Sequence, residues 1–301
     1  MSDPVHSERP RLVALAYRML GSVAEAEDVV QDVLLRFGQL DATTVRNPAA
    51  LLTTMVTRKA IHALERARVR RQHYDGPWLP EPMAAAGFAE VDPATISSAF
   101  LLLLEALSPR ERAAFLLARV FDYSHDEIAA ALGIEVASSR QLLHRAQAHV
   151  DARKPRFPAR PEDHARLVAN FGAAIATGDV EGLQRLLAAD AAATADHGGK
   201  ASAARRPVTG RDHVARLLLG LARKGAAVGG RLEPIALAGE PGLLMIVGSI
   251  LIGAMTVRSD GREIVGVDIV RNPDKLARLA REHGLQVSAP FVPHPNPARS
   301  R

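Results

Sequence analysis

Two short segments constrain the middle of this 301-residue chain more tightly than any other feature. In "LSPRERAAFLLARVF", Ser108 precedes Pro109 and stands three residues before Glu111; in "YSHDEIAAALG", Ser124 stands three residues before Glu127. A serine followed at that distance by glutamate can satisfy two orphan N–H groups reciprocally, so each pair marks a helix start, and proline suits the first helical position. Gly133 then predicts a left-handed turn, and a longer helix follows from about Val136. Two helices joined in this way have the spacing of a helix-turn-helix. On the second helix, Val136, Ser139, Leu143, Ala146 and Val150 form the face expected to pack, which leaves Ala137, Gln141, His144 and Arg145 outward, flanked by Ser138 and Arg140. Gln and Arg read adenine and guanine edges, and Ser and Arg suit phosphates. An ordinary solvated helix pair is the competing reading.

Upstream, "RPRLVALAYRMLGSVAEAEDVVQDVLLRF" predicts two helices, the first ended by Gly21 and the second begun by Ser22 and Glu25. Ala26, Val29, Val30, Val33, Leu34 and Phe37 recur at helical spacing, and Glu25, Asp28, Asp32 and Arg36 fall opposite. A third helix is expected from about Ala49 to Arg71. It ends in Arg66, Arg68, Arg70 and Arg71, and the prolines of "GPWLPEP" stop it. Four arginines within six residues exceed what a helix dipole needs and point to phosphate contact. The acidic face would repel DNA and suits a protein partner.

The only tryptophan, Trp78, lies in that proline strip, which is stiff and extended and cannot be helix or central strand. A lone Trp there reads as an anchor docked on another surface, its own helical bundle being the alternative. Residues 83–95 read as a linker, as does "KPRFPARPED" from about Pro155. Beyond it, helices are expected at Glu162–Thr177, Val180–Ala189 and near Asp212–Lys224, with strands at Leu232–Leu237, Leu243–Met255 and Glu263–Val270, the last two joined by "SDGR". That order suggests a sheet curled around a helix, an α+β arrangement. The tail from residue 283 is expected to be disordered.

Composition narrows the function. Zero cysteines exclude disulfides, thiolate zinc sites and thiol redox sensing, and no metal or cofactor motif is present. The formal charge of +5 fits a polyanionic partner. No run of eighteen apolar residues and no signal peptide are found, so the chain is expected to be soluble, cytoplasmic and without a membrane partner.

These residues resemble a family. The two N-terminal helices, "NPAALLTTMVTRKAIHALERARVRR" and the capped pair are similar to regions 2 and 4 of bacterial sigma factors of the extracytoplasmic-function class. "GPWLPEP", "DHGGK" at Asp196–Lys200 and "NPDKL" at Asn272–Leu276 are similar to signatures of the SigJ-like subgroup, which carries a fused SnoaL-like (nuclear-transport-factor-like) domain. The resemblance implies two all-α domains, at 1–74 and 96–155, a WLPEP linker at 75–95, and an α+β cone at 160–282. It implies that Asp28, Gln31 and Asp32 dock on core RNA polymerase. Asn47, Arg58, Arg66, Arg68, Arg70 and Arg71 would hold the minus-10 promoter element, and Ser138, Arg140, Gln141, His144 and Arg145 would read the minus-35 element. Trp78, Leu79, Pro80, Asp196, Lys200, Asn272, Pro273, Asp274 and Lys275 would form an interdomain regulatory contact through which the C-terminal domain controls activity in cis. Where the signature loop usually has its first glycine, this chain has His197.

Two alternatives stay open: a one-component regulator whose C-terminal domain senses a ligand, and a cyclase-like enzyme. For the enzyme, Asp196 and His197 are the acid–base candidates the sequence offers. As strand neighbours they would point to opposite faces, and beside two glycines they read as a turn. A small apolar ligand in the C-terminal domain, with no catalysis, is the intermediate reading.

Overall fold

The computed structural model describes residues 4–41, 45–84, 95–152, 160–238 and 240–288. The chain divides into two compact units, one of residues 1–73 and 85–156 and the other of residues 74–84 and 157–301. Most of the expected linker at 83–95 lies outside the described residues.

The first unit is helical: α1 (Pro4–Leu20), α2 (Val23–Phe37), α3 (Pro48–Arg71), α4 (Ser98–Leu104), α5 (Pro109–Arg119), α6 (His125–Leu132) and α7 (Val136–Asp151). Gly21, at φ +70°, separates α1 from α2, and the Ser22 hydroxyl accepts from the Glu25 N–H. On α2, Val23, Ala26, Val29, Val30 and Val33 are buried. Leu34 and Phe37 are half-buried, so that face is narrower than its spacing predicts. Each fully buried Val or Leu contributes about 1.5–3 kcal/mol. Both capping boxes close, at Ser108 with Glu111 and at Ser124 with Glu127, and Gly133 sits at φ +65° between α6 and α7. One core position shifts. Ser139, Leu142, Ala146 and Val150 are buried on α7, and Leu143 is only half-buried. Both Leu142 and Leu143 fit the helical period between Ser139 and Ala146, and packing selects Leu142. The Ser139 hydroxyl donates to the His125 carbonyl at 3.1 Å, tying α7 to the start of α6.

The second unit holds α8 (Pro161–Thr177), α9 (Val180–Leu186), β1 (Leu187–Asp196), β2 (Val208–Thr209), α10 (Arg211–Ala226), β3 (Gly230–Leu237), β4 (Glu240–Val247), β5 (Ile250–Ser259), β6 (Ile264–Val270), α11 (Pro273–Glu282) and β7 (Gln286–Val287). The sheet order is β2-β1-β6-β5-β4-β3, with β1 parallel to β6 and β7 pairing β5. Helices α8–α10 pack on one face through Phe171, Leu183, Val214 and Leu218 against Ala191, Ala193, Val267, Ile269, Met255 and Val257. This is the expected α+β cone.

Three sequence expectations need correction here. The apolar run Leu243–Met255 is two strands, β4 and β5, turned at Gly248 with φ +59°. The second helix ends at Leu186, because the alanine-rich stretch expected to close it begins β1. Gln286 and Val287, inside the stretch expected to be disordered, pair with Ile250 and Leu251; residues from 289 onward lie outside the described residues.

Candidate functional site

On α2, Asp28, Gln31 and Asp32 are all exposed. Lys59 ion-pairs with Asp32, and its hydrogen bond and charge hold that carboxyl below the usual range. Leu35, one turn further, is 62% exposed. The stripe is thus acidic with an apolar end.

On α3 the expected phosphate contacts are largely engaged inside the unit. Asn47 is the N-cap, its side-chain oxygen accepting from the Ala50 N–H at 3.1 Å. Arg58 donates to the carbonyls of Ala131 at 2.7 Å and Ala130 at 2.9 Å, the last turn of α6, where backbone oxygens carry the negative end of the dipole. Arg68 donates to the Leu107 carbonyl, and Arg70 ion-pairs with Glu25. Arg71 donates to Glu105 at 2.9 Å and to the Leu20 carbonyl at 3.0 Å. Arg66 is exposed.

Sequence reasoning missed the centre of this network. Arg112 is fully enclosed and donates to Glu105 at 2.7 Å and to the carbonyls of Met19 at 2.8 Å and Leu104 at 3.1 Å. Burial alone would raise the Glu105 carboxyl, but the guanidiniums of Arg112 and Arg71 outweigh it and hold it low. One signal existed: Arg112 falls four residues before Leu116, on the apolar face of α5.

On α7, Ser138, Arg140, Gln141, His144 and Arg145 are all exposed. The last four line one shallow depression. Only Arg145 has a described ion pair, 3.5 Å from Glu111. A helix-turn-helix that offers two Arg, a Gln and a His from its second helix has the donors needed to read base edges.

The third set converges in the second unit on Asp196, whose carboxylate is fully buried. It accepts from the Tyr74 hydroxyl at 2.5 Å, the Leu79 N–H at 2.8 Å and the Lys275 ammonium at 2.6 Å. Lys275 also donates to the Leu79 carbonyl at 2.5 Å and lies 4.2 Å from the centroid of the Trp78 ring. Asn272 caps α11 through Asp274 and donates to the Tyr74 hydroxyl at 2.9 Å, with Pro273 at the first position of that helix. Burial and the Asp196 charge push the Tyr74 hydroxyl pKa well up. Lys200 pairs with Asp274, and Arg205 with Asp75 at 2.8 Å. Leu79 and Pro80 are buried, and beyond them the strip extends the sheet edge, where Ala84 bridges Leu237 of β3. The strip at 74–84 is therefore part of the C-terminal unit, where the Trp78 ring lies against Lys275. His197 is 4% exposed and abuts Gly76, where a Cβ would lie 2.4 Å from its Nε2.

Together these features define a DNA-binding transcription factor with two helical segments and a covalently fused α+β domain. The sigma-70 region 2 family matches residues 5–70, and the sigma-70 region 4 family matches residues 97–150. The chain is 38% identical over 285 residues to the ECF RNA polymerase sigma factor SigJ of Mycobacterium tuberculosis (strain ATCC 25618 / H37Rv), covering 89% of this chain and 90% of that one. It is 27% identical over 300 residues to the probable ECF RNA polymerase sigma factor SigI of the same organism, covering 94% and 98%. The crystal structure of M. tuberculosis SigJ superposes with a TM-score of 0.70 at 33% identity, covering 90% of this chain and 96% of that one. The chain belongs to the ECF RNA polymerase sigma factors and is a transcription initiation factor. Among the described residues, no helix is long and apolar enough to cross a membrane.

Proposed function

We propose that the chain binds core RNA polymerase through the α2 stripe of Asp28, Gln31 and Asp32, holds the minus-10 element with α3, and reads the minus-35 element with α7. The observation that carries this reading is the exposure of all five polar side chains, Ser138, Arg140, Gln141, His144 and Arg145, on the second helix of a helix-turn-helix. The α2 stripe faces solvent and ends at exposed Leu35, as a protein contact requires.

The C-terminal unit controls activity in cis. The peptide that leaves α3 at Arg71 enters that unit at Tyr74, so the connection between the two promoter-reading segments is itself folded into the regulatory domain. Lys275, Asp196 and Tyr74 clamp it. The unit is a scaffold and ligand pocket rather than an enzyme: Asp196 already accepts three hydrogen bonds, and neither it nor His197 lines the cavity among the α8–β5 elements.

Run-off transcription with core polymerase on a genomic library tests the whole reading. Wild type should give discrete promoter products, and Asp28→Lys with Asp32→Lys should lose them together with core binding while keeping the helical circular dichroism. Equal pull-down of core enzyme by the double variant would overturn the α2 assignment.

A further inference from the structure

The inner face of the C-terminal sheet encloses a cavity of about 1510 Å³ between α8, α10 and strands β3–β5. Its wall is mostly apolar, from side chains such as Val168, Leu218, Leu243, Met245 and Met255. The charge on that wall has one sign. Arg216, Arg223, Lys224, Arg231 and Arg271 line it, and no Asp, Glu or His does among the described residues. Four of these cations are exposed, and Arg231 is neutralised by Glu233 at 2.6 Å.

Arg271 is different. It follows Val267 and Ile269 on the inward-facing side of β6 and runs on past the strand end, so its stem crosses Gly253 of β5. A Cβ on Gly253 would lie 3.0 Å from the Met245 Sδ and at an ordinary contact distance, 3.7 Å, from the Arg271 Cγ, so the arginine stem runs beside Met245 of the apolar wall. Among the described residues the guanidinium is held by neutral acceptors alone, donating to the Ile252 carbonyl at 3.1 Å and to the Ser202 carbonyl at 3.1 Å. Burial lowers its pKa, and no neighbouring carboxylate acts to restore it. Arg258, further along β5, shows the contrast: it is matched by Asp268 at 2.6 Å. A guanidinium has five N–H donors in a planar fork suited to a carboxylate, and here most are left for something other than the chain.

We propose that this cavity binds an aliphatic carboxylate, its head on Arg271 and its hydrocarbon chain along Met245, Met255 and Leu243. The proposal rests on the reading of the cavity as a ligand pocket and gives that pocket a ligand class. The carboxylate supplies the counter-charge that the chain withholds, and the apolar body removes the cavity wall from water.

Calorimetric titration of the full chain with dodecanoate, dodecanol and dodecyltrimethylammonium, each below its micelle concentration, tests it. The hydrocarbon is constant across the three probes, so only the head group varies. Dodecanoate is expected to bind at one per chain, with the alcohol and the ammonium at least about tenfold weaker, the value of one charge-assisted contact. Arg271→Gln should bring dodecanoate down to the alcohol, and Arg271→Lys should keep part of the preference. Equal binding of the alcohol and the carboxylate overturns the anion assignment while leaving a pocket. Absence of binding by all three overturns the pocket as well. Unchanged dodecanoate affinity in a folded Arg271→Gln variant removes Arg271 from the site. Should that variant fail to fold, the head-group comparison on the wild-type chain decides the matter.

Discussion

On α7, Ser138, Arg140, Gln141, His144 and Arg145 face solvent, whereas on α3 Arg58, Arg68, Arg70 and Arg71 each bond to another part of the same helical unit. Both helices carry side chains suited to nucleic acid, but they begin from different states. A base contact made by Arg140, Gln141 or His144 breaks no described internal bond, and one made by Arg145 gives up only its ion pair with Glu111. A phosphate contact made by Arg58 or Arg71 must first release the α6 carbonyls or Glu105. Affinity is reduced by the fraction of molecules already in the competent arrangement, so under the proposed function the minus-35 step is unconditional and the minus-10 step is gated.

The largest effect is expected at the buried end of α3's contacts. Glu105→Ala leaves the enclosed Arg112 guanidinium without its counter-charge, and breaking one side of a buried pair costs about 3–5 kcal/mol. Hydrogen exchange at the α4 and α5 amides should accelerate accordingly, while amides of the C-terminal sheet should not change. Uniform exchange rates would show that Arg112 finds another partner.

Breaking the α7 side of the comparison should have the opposite signature. Arg140→Ala with Gln141→Ala is expected to lower promoter discrimination by about tenfold to a hundredfold, from about 1–3 kcal/mol per bidentate contact. Stability should move by less than about 0.5 kcal/mol, since neither side chain has an internal bond to lose. Quantitative footprinting against a scrambled minus-35 element measures the first and thermal unfolding the second. A somewhat smaller effect is expected for Arg58→Ala. Losing two hydrogen bonds from a charged donor to α6 should cost about 1–2 kcal/mol of helical-unit stability. Under the gated reading, minus-10 binding should fall by less than the lost contact implies, because the variant also opens the unit. A drop as large as that of the α7 double variant would show that α3 is not held back by its internal bonds.

The same contrast explains what could be read from sequence. Capping boxes, the Gly133 turn and the α7 outer face depend on residues within one helical repeat of each other, and local spacing carries that information. The engagement of Arg58, Arg68 and Arg71 does not, because each partner lies 34 or more residues away or is a backbone carbonyl with no identity of its own. The β4–β5 hairpin was hidden for a different reason: both strands are apolar enough to read as one run, and only Gly248 and Ser249 interrupt them. The helix α11 was legible in principle, since Asn272 and Pro273 are a cap and a first-turn proline. The clamp signatures were visible through family resemblance, but Tyr74, which joins Asp196 to Asn272, was not among them.

The smallest expected effect lies at Glu111, which ties Arg145 and His149 of α7 to the start of α5. Its carboxylate accepts from the Ser108 N–H at 2.9 Å and faces Arg145 at 3.5 Å and His149 at 3.7 Å. Burial alone would raise this carboxyl, but the Ser108 N–H and hydroxyl, aided by His149 and Arg145, hold it below the usual range. A carboxyl whose folded pKa is depressed adds stability above its unfolded value of about 4.3, and that stability is lost as pH falls through the lower folded value. Glu111→Gln keeps an oxygen for the Ser108 N–H and removes only the charge, so the cost at neutral pH should stay below about 1 kcal/mol. Two consequences separate this from general weakening. Hydrogen exchange at the α5 amides should lose part of its pH dependence between neutrality and the acid side of that value. Arg145, released from its one ion pair, should leave promoter affinity unchanged or slightly raised. Reduced promoter affinity with unchanged stability would mean that Glu111 orients Arg145 for DNA, and that α7 is less free than its exposure indicates.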